Sequence, residues 1–158
     1  MLVLWPVHQL ESEQSQYLGI MTISAVLKQH GFRSEVVPWD ENVIEDRLKS
    51  EDRAVVAFST PSALATTYVR FNRMVKERRP DVFSVFGGAH PTYFPDMISE
   101  DGIDGVCVGE GEHAMLDLVR AVDEDRSPKD TENWWIKDGD VIHRNPLRPL
   151  IEDLDELP

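Results

Sequence analysis

Short apolar runs alternate along the chain with longer segments in which apolar residues recur every three or four positions. Runs rich in β-branched residues predict buried strands, and the periodic segments between them predict amphipathic helices. The predicted strands are Leu2–Trp5, Ser34–Pro38, Ala54–Ser59, Val82–Phe86 and Gly105–Val108. Strands and helices that alternate in this way indicate a parallel sheet covered on both faces.

The segments between the strands predict five helices, which end or begin at recognisable signals. Gly31 is the expected stop of the first helix, and Ser62 is typical of an N-cap before the third. The helices cover about Tyr17–His30, Val43–Ser50, Leu64–Val75, Pro91–Ser99 and Glu112–Val122. Five βα units with right-handed crossovers favour a doubly wound, flavodoxin-like (Rossmann-like) sheet of five parallel strands in the order 2-1-3-4-5.

The last quarter of the chain departs from this alternation. Trp134–Ile136 and Val141–His143 predict a β-hairpin with its turn at Asp138-Gly139. The final stretch, 145–158, has three prolines and no periodic pattern, as is typical of a connector. We therefore expect a domain over residues 1–122 and a hairpin with a linker over residues 123–158, with an apolar docking surface near Trp134, Trp135 and the proline-rich end.

Composition narrows the class of protein. The 158 residues carry 16 Lys+Arg and 29 Asp+Glu, a net charge of −13, which disfavours binding to nucleic acid or to an anionic membrane. The chain has no apolar run near the ~20 residues of a membrane span, and its apolar start lacks the flanks of a signal peptide. Cys107 is the single cysteine, which excludes an internal disulfide and a multi-cysteine metal site. We expect a cytoplasmic protein.

Ligands of open parallel sheets bind at the carboxyl ends of the strands, so the loops there hold the candidate residues. The first loop, Pro6–Gln16, is long and polar, and the third, 59–63, is small and rich in hydroxyl groups. In the fourth loop, Gly87-Gly88 indicates either a flat ligand against the main chain or a tight turn into the next helix. Both interpretations stay open at this stage.

The fifth loop matches the spacing of a dinucleotide-binding motif through Gly109, Gly111 and Ala114. This motif belongs after the first strand, and Glu110 and Glu112 would repel a pyrophosphate, so we reject it. The chain also has no Walker A lysine motif, and its histidines show no metal-ligand spacing.

Taken together, the loops resemble the N-terminal cobalamin (vitamin B12)-binding domain of B12-dependent radical SAM proteins. The specific pair of motifs is Phe86-Gly-Gly-Ala-His-Pro-Thr92 followed by Gly105-Val-Cys-Val-Gly-Glu-Gly-Glu112. Phe58-Ser-Thr-Pro and the closing Asp153-Leu-Asp-Glu-Leu-Pro158 add to the similarity.

The resemblance implies an unusual environment for the cobalt. B12-binding domains of the wider family carry an Asp-x-His-x-x-Gly motif, whose histidine coordinates the metal. The matching positions here are Gln14, Gln16 and Gly19, so both chemical positions differ. The resemblance therefore implies base-off cobalamin without a histidine ligand, with His8 as the alternative. The implied cofactor-binding residues are Gln14, Gln16, Gly19, Ser59, Thr60, Pro61, Ser62, Gly87, Gly88, Ala89, His90, Gly109, Glu110 and Gly111.

Radical SAM chemistry needs a Cys-x-x-x-Cys-x-x-Cys motif for a [4Fe-4S] cluster that binds S-adenosylmethionine, and this chain has one cysteine. The resemblance thus implies that the chain alone is not catalytic. Its implied partners are cobalamin and a C-terminal radical SAM domain of a longer parent, which is implied to be a methyltransferase. Two alternatives remain. One is a degenerate domain of the same fold that docks the catalytic barrel or a partner without binding corrinoid, and the other is a flavodoxin-like enzyme or FMN carrier.

Overall fold

The computed structural model describes residues 1–8 and 18–158, which form one seven-stranded sheet. The sheet has the strand order β2-β1-β3-β4-β5-β6-β7. The strands are β1 (Leu2–Val7), β2 (Arg33–Pro38), β3 (Ala54–Ser59), β4 (Phe83–Gly87), β5 (Gly105–Cys107), β6 (Trp134–Asp138) and β7 (Val141–Arg144). The pairs among β1 to β5 are parallel, and β6 and β7 are joined by antiparallel pairing.

Helices cover both faces of this sheet. They are α1 (Leu18–Gln29), α2 (Glu41–Leu48), α3 (Ala65–Arg78), α4 (Ala89–Tyr93) and α5 (Glu112–Asp123), with single 3-10 turns at Ser62–Leu64, Pro95–Ser99, Pro128–Asp130 and Leu154–Glu156. The apolar cores show that α1 and α5 pack on one face and α2 and α3 on the other. The predicted α/β, Rossmann-like architecture and the order of its parallel strands are confirmed.

The C-terminal hairpin is present as β6 and β7, but the expected count of five strands is wrong, because β6 and β7 extend the sheet to seven. β6 pairs with β5 through Gly105↔Ile136 and Cys107↔Trp134. Without the hairpin, β5 would present an unpaired edge, which folded proteins usually cover. Trp134 is buried, with its indole N–H donating to the Ala114 carbonyl at 2.8 Å, so Trp134 itself is not part of the expected docking surface.

The hairpin turn also lies one residue later than expected. Asp138 pairs with Val141, which makes Gly139 and Asp140 the loop residues. Gly139 has a φ of +60°, a value that suits glycine in a two-residue hairpin loop.

Other element boundaries differ for local reasons. β1 extends through Pro6, which is tolerated because β3 pairs with β1 only at Leu2–Leu4. α2 begins two residues early, since the Asp40 carboxylate accepts hydrogen bonds from the amides of Asn42 and Val43. The predicted helix 91–99 instead forms α4 and a 3-10 turn, separated at Phe94 before Pro95.

Ser62 is not an N-cap, which corrects the sequence interpretation. Pro61 precedes the 3-10 turn and Leu64 precedes α3, and neither makes a side-chain capping bond. The Ser62 hydroxyl instead lies 3.2 Å from Nδ1 of His90.

Within the described residues, no helix has the length and apolar character needed to cross a membrane.

Candidate functional site

A cleft of about 490 Å³ opens at the carboxyl end of the parallel strands, between α1 and α5. This is where open parallel sheets bind ligands, and its volume is in the range of small-molecule sites. Strand ends supply its floor, and the third, fourth and fifth βα loops supply its walls. Its lining residues are Trp5, Gly19, Ile20, Ile23, Ala57, Phe58, Ser59, Val85, Gly87, Gly88, Ala89, Thr92, Tyr93, Cys107, Gly109, Glu110, Gly111, Glu112, Met115, Trp134 and Leu150.

A second depression, of about 570 Å³, lies between α2 and α3. Charged side chains wall it, including Asp40, Glu41 and Arg70, and none of the candidate residues from the sequence lines it. The cleft between α1 and α5 is therefore the candidate site.

The floor of the cleft is apolar and unreactive. Trp5, Val85 and Trp134 belong to the buried core that extends from the sheet to α1 and α5. Burial, and to a smaller extent the negative charge of Glu112, raises the pKa of the Cys107 thiol to about 12. Because thiolate is the nucleophilic form, Cys107 stays neutral and inert at physiological pH.

Gly88 allows the third and fourth loops to pack closely at one wall of the cleft. Its φ is +93° and its ψ is −161°, a conformation that is essentially restricted to glycine. A Cβ atom at this position would lie 3.1 Å from the Thr60 amide nitrogen and 3.2 Å from the Ser59 hydroxyl. Gly87 has no such constraint, since its Cβ would make an ordinary 3.6 Å contact with Cys107.

Hydrogen bonds join these loops to their neighbours. The Thr60 amide donates to the Gly87 carbonyl at 2.8 Å. The Thr92 hydroxyl donates to the Gly88 carbonyl at 2.9 Å and accepts from the Gly109 amide at 3.2 Å. Main-chain groups of three successive loops therefore form one connected rim.

The structure brings together eight of the residues that the resemblance implied for cofactor binding. Gly19, Ser59, Gly87, Gly88, Ala89, Gly109, Glu110 and Gly111 all line the cleft. Thr60, Pro61, Ser62 and His90 do not line the cleft; Thr60 is fully buried and Ser62 is exposed. Gln14 and Gln16 fall outside the described residues.

Sequence reasoning missed most of the apolar lining. Trp5, Val85 and Trp134 have the same signature as any core residue, so no local signal marks them as part of a cleft. Thr92 is the last residue of the Phe86–Thr92 motif that carries the resemblance, so this motif was an available signal for it. Leu150 belongs to the irregular segment after β7, where the sequence has no periodicity to guide a prediction.

No histidine among the described residues lines the cleft. The His8 ring packs edge-on against Trp39 at 5.3 Å, and the His90 ring stacks on Phe94 at 5.0 Å. The described residues also hold no group of three or more His, Cys, Asp or Glu side chains arranged to bind a metal ion.

Comparison with protein families assigns the chain to a family. The family model described as B12 binding domain matches residues 13–119, which include α1 and the third, fourth and fifth loops. The chain belongs to the B12-binding domain family. All lining residues of the cleft in this B12-binding domain lie inside the matched region, except Trp5, Trp134 and Leu150.

Curated relatives of this B12-binding domain are longer proteins. An anaerobic magnesium-protoporphyrin IX monomethyl ester cyclase of Rubrivivax gelatinosus is 39% identical over 92 residues, which cover 54% of this chain and 16% of the cyclase. An uncharacterized methyltransferase of Pyrococcus horikoshii is 32% identical over 114 residues, which cover 70% of this chain and 25% of that protein. The chain therefore spans a quarter or less of these relatives.

Solved structures share the fold at low sequence identity. TsrM from Kitasatospora setae, a radical S-adenosylmethionine methyltransferase, matches with a TM-score of 0.74 and 15% identity over 92% of this chain and 30% of TsrM. OxsB, a cobalamin-dependent S-adenosylmethionine radical enzyme with aqua-cobalamin bound, matches with a TM-score of 0.73 and 14% identity over 94% of this chain and 22% of OxsB. At these identities the similarity concerns the fold.

Proposed function

We propose that this chain binds cobalamin in the cleft between α1 and α5 and acts as the cofactor module of a B12-dependent radical SAM enzyme. The observation that carries the proposal is the position of this apolar, glycine-lined cleft at the carboxyl ends of the strands in a B12-binding family member. The flat benzimidazole tail of the cofactor would enter the cleft, and the corrin ring would lie across its mouth.

The chemistry of the cleft fits this cofactor. Its floor is apolar, which suits an aromatic heterocycle, and no lysine, arginine or histidine among the described residues lines it. The amides around a corrin ring are neutral donors and acceptors. Ser59 and the exposed main chain at Gly88 and Gly109 would meet such groups without a charged partner. A net charge of −13 is compatible with a ligand of this kind.

The proposal includes base-off cobalamin without a protein histidine on the cobalt. Two observations support it: none of the described histidines lines the cleft, and glutamines stand at the family's aspartate and histidine positions, Gln14 and Gln16. When bound, cobalamin would supply a cobalt centre able to carry a methyl group. The role of this chain is to hold the tail away from that centre and to exclude water from the tail with the cleft floor.

The proposed parent adds the catalytic machinery. A C-terminal radical SAM domain with a [4Fe-4S] cluster and S-adenosylmethionine would follow this chain, and the parent would be a methyltransferase of the reducing cytoplasm. In this proposal, residues 1–122 hold most of the cofactor site, and residues 123–158 add Trp134 and Leu150 to the cleft and lead toward the next domain. The greater length of the cyclase and methyltransferase relatives supports a longer parent.

Electron paramagnetic resonance of the cob(II)alamin form tests the absence of an axial nitrogen ligand. The chain is loaded with cobalamin, reduced to Co(II), and compared with the Gln16→Ala variant. We expect spectra without the triplet splitting that an axial nitrogen imposes on each cobalt line, and equal retention in both chains. Triplet splitting would contradict base-off, histidine-free binding, and a large loss of retention in Gln16→Ala would assign Gln16 a direct contact.

A further inference from the structure

The segment after β7 returns to the cleft and supplies part of its mouth. Residues 146–151, here called the connector strap, place Leu150 among the lining residues of the cleft. Leu150 is 73% exposed, so it is not held there by burial in the core. Its position therefore depends on the polar contacts of its neighbours in the strap.

Glu110 and Asn133 make those contacts. The Glu110 carboxylate accepts a hydrogen bond from the Ile151 amide at 2.9 Å, directly next to Leu150. The Asn133 side chain accepts from the Arg148 amide at 2.7 Å and donates to the Glu110 carbonyl at 2.8 Å. Asn133 thus joins the fifth βα loop to the strap.

Further contacts stabilise this junction between the fifth βα loop and the strap. Asn133 is buried and has a φ of +68°, a conformation that asparagine adopts more readily than most residues. Its main-chain N–H donates to the Pro146 carbonyl at 2.9 Å. The Arg148 guanidinium pairs with Asp117 of α5 at 2.6 Å, so the strap is tied to the helix that flanks the cleft as well as to the loop.

We infer that Glu110 and Asn133 are positioning residues that hold the connector strap at the mouth of the cleft, so that Leu150 forms a wall against the bound cofactor. The inference rests on the proposed function. It differs from the role that the resemblance gave Glu110, because the carboxylate acts on the cofactor through the strap. It also couples cofactor binding to the conformation of the chain beyond Ile151. Any change that moves the strap away from the cleft would also open the cleft.

The rate of cobalamin release from the loaded chain tests this inference. Glu110→Ala removes the acceptor for the Ile151 amide, and we expect release about tenfold faster. Glu110→Gln keeps an oxygen that accepts from the same amide, so its release rate stays near that of the wild type. Leu150→Ala shortens the wall itself and is expected to release cobalamin roughly fivefold faster.

The Glu110→Ala and Leu150→Ala variants each have a matched control. Glu152→Ala removes an equal charge from a side chain that makes no hydrogen bond or ion pair with the described residues. Leu147→Ala shortens a leucine that is 61% exposed and does not line the cleft. Both controls are expected to release cobalamin at the wild-type rate.

Amide hydrogen exchange without cofactor gives an independent readout. Glu110→Ala should speed exchange at Ile151, because that amide loses its acceptor, while the Leu150→Ala and Glu152→Ala chains keep the wild-type rate there. A wild-type chain that retains no cobalamin contradicts the proposed function and this inference together. If the wild type retains cobalamin, and the Glu110→Ala and Leu150→Ala chains release it as slowly as the wild type does, the result contradicts this inference alone.

Discussion

Gly88 is subject to two constraints at once, a backbone conformation that other residues avoid and a close approach by the third loop. Its φ of +93° and the 3.1 Å separation between a built Cβ and the Thr60 amide nitrogen both lie at the wall of the cleft. Gly31 shares the positive φ, at +84°, but a Cβ there would meet nothing within 4 Å. Substitutions at the two glycines therefore distinguish the free-energy cost of backbone strain, which both share, from the cost of steric crowding at the cleft wall, which only Gly88 has.

Gly88→Ala is therefore expected to lower the free energy of unfolding by about 1–3 kcal/mol and to abolish cobalamin retention. Gly31→Ala is expected to lower stability by about 1–2 kcal/mol while it keeps the cofactor. Urea unfolding and corrinoid absorbance after desalting measure both quantities. Full retention by a folded Gly88→Ala chain would show that this wall does not contact the cofactor.

Gly19 offers the opposite test, because no neighbour within the described residues requires a glycine there. It lies in the first turn of α1 and lines the cleft, and a Cβ would meet nothing within 4 Å. Gly19→Ala should leave the unfolding free energy unchanged or raise it by up to about 1 kcal/mol, since alanine favours the helix. We expect weaker cobalamin retention, because the methyl group occupies space that the cofactor uses. Unchanged retention would place the cofactor away from the start of α1.

At the scale of elements, Asp104 connects three parts of the fold just before β5. Its carboxylate pairs with Lys76 of α3 at 2.6 Å and accepts from the Ser84 amide of β4 at 2.7 Å. Both partners are at least partly buried, so removal of the carboxylate leaves the Ser84 amide without its acceptor and Lys76 without its ion-pair partner, with only the hydrogen bond to the Val82 carbonyl at 2.7 Å.

Asp104→Ala is expected to lower the free energy of unfolding by about 2–3 kcal/mol. The control is Asp101→Ala, which removes an exposed carboxylate that makes no hydrogen bond or ion pair with the described residues, and is expected to change stability by less than about 0.5 kcal/mol. Chemical unfolding of the two variants decides the comparison. Similar losses in both would mean that net charge, rather than this junction, governs stability.

The elements that sequence reasoning recovered are those with a local signal. Periodic apolar positions predicted the five parallel strands and the long helices, and their order followed from the handedness of the crossovers. The pairing of Cys107 with Trp134 has no local signal, because it joins residues far apart in sequence. For the same reason the contact of Ile151 with Glu110 was not predicted, although Glu110 itself stood out in its motif.

The whole molecule combines an acidic chain, a doubly wound sheet extended by a hairpin, and a cleft at the carboxyl ends of the strands. The sequence motifs identified loops that form part of this cleft, since glycine and hydroxyl residues at strand ends carry a positional signal. They did not identify its apolar floor, which arises only when β1, β4 and β6 come together in the sheet. Family membership and cleft geometry thus support the same ligand from separate observations.

Retention of cobalamin by the purified chain is the most direct test of this account. The chain is mixed with excess hydroxocobalamin or methylcobalamin and desalted, and its visible spectrum is recorded beside those of Gly88→Ala and Gly31→Ala. We predict about one corrinoid per chain in the wild type and in Gly31→Ala, and none in Gly88→Ala. A folded wild-type chain without corrinoid absorbance would contradict the account and favour a domain that only docks a partner.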